Sequence, residues 1–147
     1  MDAGQRRQFD NRPGNALGRP GNAPGRAGPR KGSAAEKLAC EYLEARGLRL
    51  LAANYRCRYG ELDLVMRDGA RLVVVEVRAR RSDRHGAPEA SINHRKRRCL
   101  MRAARCFILD NPQFNGMMLR FDVVGVLKEA SRARFRWIRN ALQFDGR

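Results

Sequence analysis

The sequence of 147 residues contains no run of about 18 apolar residues, so no helix is expected to span a membrane. Met1–Asp10 carries no apolar h-region, and a secretory signal peptide is not expected. Histidine occurs twice, as His85 and His94, with no partner at metal-ligand spacing, and both read as surface residues. The four cysteines, Cys40, Cys57, Cys99 and Cys106, form no C-x-x-C pair. That argues against a disulfide scaffold, a zinc site and a thioredoxin-like motif, and favours reduced thiols in a cytoplasmic protein. Acid is scarce relative to base. Fifteen Asp and Glu face 31 Lys and Arg, for a net charge of +16. The sequence pI near 11.3 points to a polyanionic partner, nucleic acid first and an anionic membrane surface second.

The charge is not evenly spread. Residues 1–32 hold seven of the 14 Gly, four of the six Pro and seven Lys or Arg against two Asp. Arg12-Pro13-Gly14-Asn15-Ala16 recurs as Arg19-Pro20-Gly21-Asn22-Ala23. Such a segment buries too little apolar surface to offset its ordering entropy, so 1–32 is expected to be a disordered basic tail. Residues 33–147 are long enough for one core and carry the remaining +11 (16 minus 5).

Within that domain, Ser33 and Glu36 fit a capping box. Ala35, Leu38, Ala39, Tyr42 and Leu43 recur at helical spacing, and Gly47 sits where a glycine ends a helix. Strands are expected at about 48–55, 60–67 and 70–78, the last two joined by a hairpin at Asp68-Gly69. The Val run in the third strand suits the centre of a sheet. A loop over 79–90 precedes a helix from about Glu89 to Leu109, stopped by Asn111-Pro112. Strands at about 119–127 and 133–139 follow. The order αβββαββ implies an α/β fold with a central mixed sheet flanked by helices.

The acidic residues that matter lie in the hairpin. With Asp68-Gly69 as a two-residue loop, Asp63 faces Val74 and Glu61 faces Glu76. Period-two alternation then puts Glu61, Asp63, Glu76 and Arg78 on one face, and Leu62, Leu64, Val73, Val75 and Val77 on the other. A one-residue slip would separate Asp63 from Glu76. Neighbouring carboxylates on a buried sheet repel, and a hard divalent cation such as Mg²⁺ relieves that repulsion.

The spacing Asp63-x12-Glu76-x-Arg78 resembles the PD-(D/E)xK nuclease motif. The chain is also similar to the YraN family of small uncharacterised bacterial proteins. Gly32-Ser33-Ala34-Ala35-Glu36, Tyr42-Leu43, Gly47, Asn54-Tyr55-Arg56, Gly60-Glu61-Leu62-Asp63-Leu64, Val75-Glu76-Val77-Arg78 and Arg120-Phe121-Asp122-Val123-Val124 carry that likeness. The resemblance implies a restriction-endonuclease-like fold and a Mg²⁺- or Mn²⁺-dependent endonuclease acting on DNA, branched or damaged DNA included. It implies metal held by Asp63, Glu76 and the Val77 carbonyl, with Glu36 as an extra carboxylate and Glu61 supporting the ligands. Glu36 is equally accounted for by the capping box. By analogy with resolvases it also admits a homodimer. Arg78 departs from the motif, which has Lys there. An Arg is always protonated, so it cannot act as a base, yet it can still fork onto a phosphate.

Between Arg78 and Arg105, ten Lys and Arg meet two acids. Arg80, Arg81, Arg95, Lys96, Arg97, Arg98 and Arg102 are therefore expected to contact phosphate, positioning a nucleic acid without reading its sequence. A second reading of Lys96, implied by resemblance to nucleases whose lysine comes from another element, is that it lends its ammonium to the carboxylate site. Asp122 reads as structural, and Trp137 as core or sheet edge. A nucleic-acid-binding protein that keeps the fold without catalysis is the alternative function, and membrane-surface association a third.

Overall fold

A computed structural model of the chain describes residues 33–80 and 92–142. The expected tail at 1–32, most of the 79–90 loop and Arg81 lie outside the described residues. The elements are α1 (Ala34–Glu44), β1 (Arg49–Cys57), β2 (Gly60–Asp68), β3 (Arg71–Arg80), α2 (His94–Asp110), a 3-10 turn (Pro112–Phe114), β4 (Met118–Lys128) and β5 (Ala133–Ile138). The five strands form one sheet in the order β1-β2-β3-β4-β5. Only β3 and β4 run parallel, and α2 lies in the crossover that such a pair requires. This is the α/β, restriction-endonuclease-like architecture the sequence implies, with the αβββαββ order intact.

The capping box forms as expected. Ser33 Oγ accepts from the Glu36 N–H at 3.2 Å, and the Ser33 N–H donates to Glu36 Oε2 at 3.1 Å. Gly47 turns the chain out of α1 with φ +92°, a conformation that favours glycine. The second helix begins at His94 rather than near Glu89. Asn93 caps it, its side chain accepting from the Lys96 N–H at 2.9 Å, and Ile92 lies buried ahead of the helix.

Two apolar layers sandwich the sheet. Ala39 and Leu43 of α1 cover Leu64, Met66, Val73, Val75, Val124 and Val126. Leu100, Ala103, Ala104 and Phe107 of α2 cover Leu62, Val65, Leu72, Val74, Phe121 and Val123. The Val run of β3 feeds both layers alternately, as a central strand must.

A buried polar cluster around Asp122 sits among this apolar packing. Asp122, 1% exposed, accepts from Arg120 Nε (2.9 Å) and Nη2 (2.9 Å), from Trp137 Nε1 (3.0 Å) and from the Asn140 N–H (2.9 Å). Arg120 also reaches Asp68 at 2.8 Å. Asp122 is therefore structural, and it ties the chain after β5 to β4. Trp137 is half-buried on the edge strand, as expected.

Candidate functional site

The hairpin register differs from the expected one. Asp68 pairs with Arg71, so the two-residue loop is Gly69-Ala70, with Gly69 at φ +57° in the first loop position. Each partner shifts by two residues. Side-chain parity is kept as far as the ladder runs, and the same offset brings Asp63 towards Glu76 instead of Val74.

The β2–β3 ladder stops at Leu64–Val75. Beyond it, the Asp63 side chain takes the place of a backbone acceptor, with Oδ2 accepting from the Val77 N–H at 2.8 Å. The pleat changes phase at the same point. Leu64 faces α1, yet Leu62 packs under α2. Leu62 thus does not share a face with Leu64, contrary to strict alternation. The neighbouring strand breaks in step. Asn54, between the pairs Ala53–Leu64 and Tyr55–Leu62, has φ +54°. A non-glycine residue in the left-handed region costs backbone strain, and Asn is among the residues that tolerate it best. The result is a carboxylate set in the fork between two strands, within electrostatic reach of groups on both helices.

Those groups are identifiable. Glu76, 5% exposed, has Arg78 Nη2 3.3 Å from Oε1 and Lys96 Nζ 3.2 Å from Oε2. The Lys96 approach is not aligned as a hydrogen bond, and buried Oε2 has no hydrogen-bond partner among the described residues. Asp63 is pushed up from 3.8 to about 6. Burial is the main cause and the Glu76 charge the next, with Glu36 adding to them. The Val77 N–H and Lys96 oppose them. Lys96 thus enters the carboxylate site from α2, the second of its two readings. Glu36 serves the cap and also bears electrostatically on Asp63. Glu61 turns away, gripping Arg56 through both oxygens at 3.1 Å. Val77 is tied to the site by its N–H.

The raised Asp63 makes stability depend on pH. Between about pH 4 and pH 6 the folded chain keeps a proton that the unfolded chain has released, so this group destabilises the fold increasingly as pH rises through that window. Asp63→Asn still offers Val77 an acceptor. In EDTA it is expected to raise Tm by several degrees at pH 8 and to leave it nearly unchanged at pH 4. Thermal unfolding at the two pH values checks this, and an equal shift at both contradicts it.

No cluster of three or more His, Cys, Asp or Glu side chains suited to a metal occurs among the described residues. The donor set nevertheless fits a Mg²⁺-type ion, which needs only one or two carboxylates and takes its other ligands from water and phosphate. Two hard carboxylates from adjacent strands, one with a buried oxygen lacking a hydrogen bond, meet that requirement.

The expected phosphate contacts divide. Arg95, Arg98 and Arg102 are exposed on α2. Arg97 is half-buried, with its Nε lacking a hydrogen-bond partner among the described residues. Arg80 is half-exposed at the end of β3. Tyr59, which sequence reasoning passed over, stands beside this face, with Arg58 and Arg102 guanidinium carbons 4.7 and 5.5 Å from its ring centre. Its flanking arginines, Arg56 and Arg58, and its place next to Gly60 were the available signal.

Comparison with known proteins places the chain. Residues 35–126 match the model of "Uncharacterised protein family UPF0102". A UPF0102 protein of Methylococcus capsulatus is 47% identical over 109 residues, covering 74% of this chain and 87% of the relative. One from Xanthomonas campestris is 48% identical over 113 residues, covering 77% and 91%. One from Nitrosococcus oceani is 44% identical over 111 residues, covering 76% and 90%.

Proposed function

The chain belongs to the UPF0102 family, and from that premise we propose that it is a Mg²⁺- or Mn²⁺-dependent endonuclease acting on DNA. The observation that carries the reading is Asp63 in the β2–β3 fork, coupled to Glu76, with two cations on Glu76. A basic α2 beside them supplies phosphate affinity.

Asp63 and Glu76 would hold the metal, which when bound supplies an acidified water and Lewis acidity toward a phosphodiester. The chain's own residues do the rest. The Val77 N–H holds Asp63 Oδ2 in place. Arg78 and Lys96 put fixed positive charge where negative charge develops on the phosphate oxygens. Arg78 cannot release its proton and contributes charge alone, whereas Lys96 Nζ can also donate a proton to a leaving oxygen. Arg78 at the motif's Lys position favours a second reading, a non-catalytic nucleic-acid-binding protein.

The purified chain incubated with labelled linear duplex, single strand and four-way junction DNA separates the two. Cleavage in Mg²⁺ or Mn²⁺ that EDTA abolishes is the expected result. Salt-sensitive binding with no cleavage in any metal would replace the nuclease with the binding protein.

A further inference from the structure

The first turns of α2 and the β1–β2 turn enclose a cleft of about 470 Å³, lined by Tyr59, His94, Arg95, Arg98, Cys99 and Arg102. None of its lining residues is acidic, and none of the three arginines has a carboxylate partner among the described residues. Arg95, Arg98 and Arg102 recur at helical spacing and form one stripe. The opposite wall is aromatic and held. The Tyr59 N–H donates to Cys57 Sγ at 3.4 Å, and its hydroxyl accepts from Arg58 Nη2 at 2.5 Å. Gly60 has φ +141°, and a Cβ there would stand 3.9 Å from Cys99 Cβ, so the turn lies close against the helix. The volume falls within the range of about 300–1,000 Å³ usual for small-ligand sites.

Three arginines without carboxylate partners among the described residues, lining one cleft with an aromatic ring, suit a ligand that is anionic at one end and aromatic at the other. We propose that this cleft seats one unpaired nucleotide, with its phosphate among Arg95, Arg98 and Arg102 and its base against Tyr59. A base inside a duplex is stacked between its neighbours and cannot reach the ring, whereas a base in a single strand or at a frayed end can. The substrate class is therefore nucleic acid with an unpaired segment. The inference rests on the nucleic-acid reading but not on catalysis.

Fluorescence anisotropy in EDTA, where no metal-dependent cutting occurs, tests it with a labelled single strand and a blunt duplex of the same sequence. Tyr59→Ala is expected to weaken single-strand binding about tenfold or more, and duplex binding less than about twofold. Tyr59→Phe is expected to bind as the wild type does. Arg102→Ala, a change of an exposed side chain that leaves the fold intact, is expected to lower single-strand affinity and reduce the salt slope by about one. The proposal is overturned by a wild type that does not bind single strands, or by a Tyr59→Ala effect that is absent or equal on both ligands. Cleavage with unchanged Tyr59→Ala binding would sink the cleft and leave the nuclease standing. Selective binding without cleavage would do the reverse.

Discussion

Asp122→Ala is expected to lower Tm by about 15 °C or more. The substitution removes a fully buried carboxylate and leaves Arg120 with only the half-exposed Asp68 as a partner. Arg120, whose side chain is 11% exposed, loses the acceptor that meets both its Nε and Nη2, and Trp137 Nε1 and the Asn140 N–H lose theirs. Removing one partner of a buried ion pair costs about 3–5 kcal/mol, because the other charge stays buried without compensation. For a domain of this size each kcal/mol is worth about 4 °C. The same logic predicts that Asp122→Asn combined with Arg120→Met loses less, since no fully buried charge is left unpaired and only the half-exposed Asp68 loses its partner. Thermal unfolding followed by circular dichroism checks both. Equal losses in the single and double variants would show that packing rather than charge pairing dominates there. The site depends on this cluster, because Asp122 pairs with Val75 in the parallel ladder and sets β4 beside the strand that carries Glu76.

The second large effect is on turnover. Lys96→Ala is expected to lower cleavage about a hundredfold, the usual cost of deleting one preorganised electrostatic group. Its ammonium stands 3.2 Å from Glu76 Oε2, and its cap-proximal position on α2 is fixed by Asn93. Arg78→Lys is expected to keep most activity, because the 3.3 Å contact with Glu76 calls for a cation rather than a fork. The outcome that counts against this assignment is a Lys96→Ala chain that cuts as fast as wild type while Arg78→Lys is inactive. Asp63→Asn is expected to lose more than either, since even outer partners of a metal ligand are worth about 10–100-fold.

Much of this architecture is legible from local chemistry. Ser33 and Glu36 announce a helix start because the two groups satisfy each other across three residues. The unbroken Val run of β3 announces a strand covered on both sides. Asp122 and Trp137 were legible as structural. What escapes reading is what depends on backbone torsion or on contacts between distant elements. Asp68-Gly69 and Gly69-Ala70 are both acceptable two-residue loops, since each places Gly69 at a position that takes a left-handed φ, and only tertiary packing selects between them. The phase change at Asn54 and Asp63 breaks the period-two rule from which Leu62 was assigned its face. Tyr59 acquires its meaning only when α2 docks on the sheet, and the same docking chooses between the two readings of Lys96. No spacing within the sequence states that Lys96 meets Glu76, or that Tyr59 closes a cleft with Arg102.

The most direct test of the carboxylate site is single-turnover cleavage of the preferred substrate by wild type and Asp63→Asn. Protein should be in excess over labelled nucleic acid, with Mg²⁺, and with binding measured in parallel in EDTA. A rate at least about a hundredfold lower in Asp63→Asn is expected, with affinity unchanged within about twofold. Equal rates in the two proteins would contradict it and place any nuclease activity elsewhere than in the fork between β2 and β3.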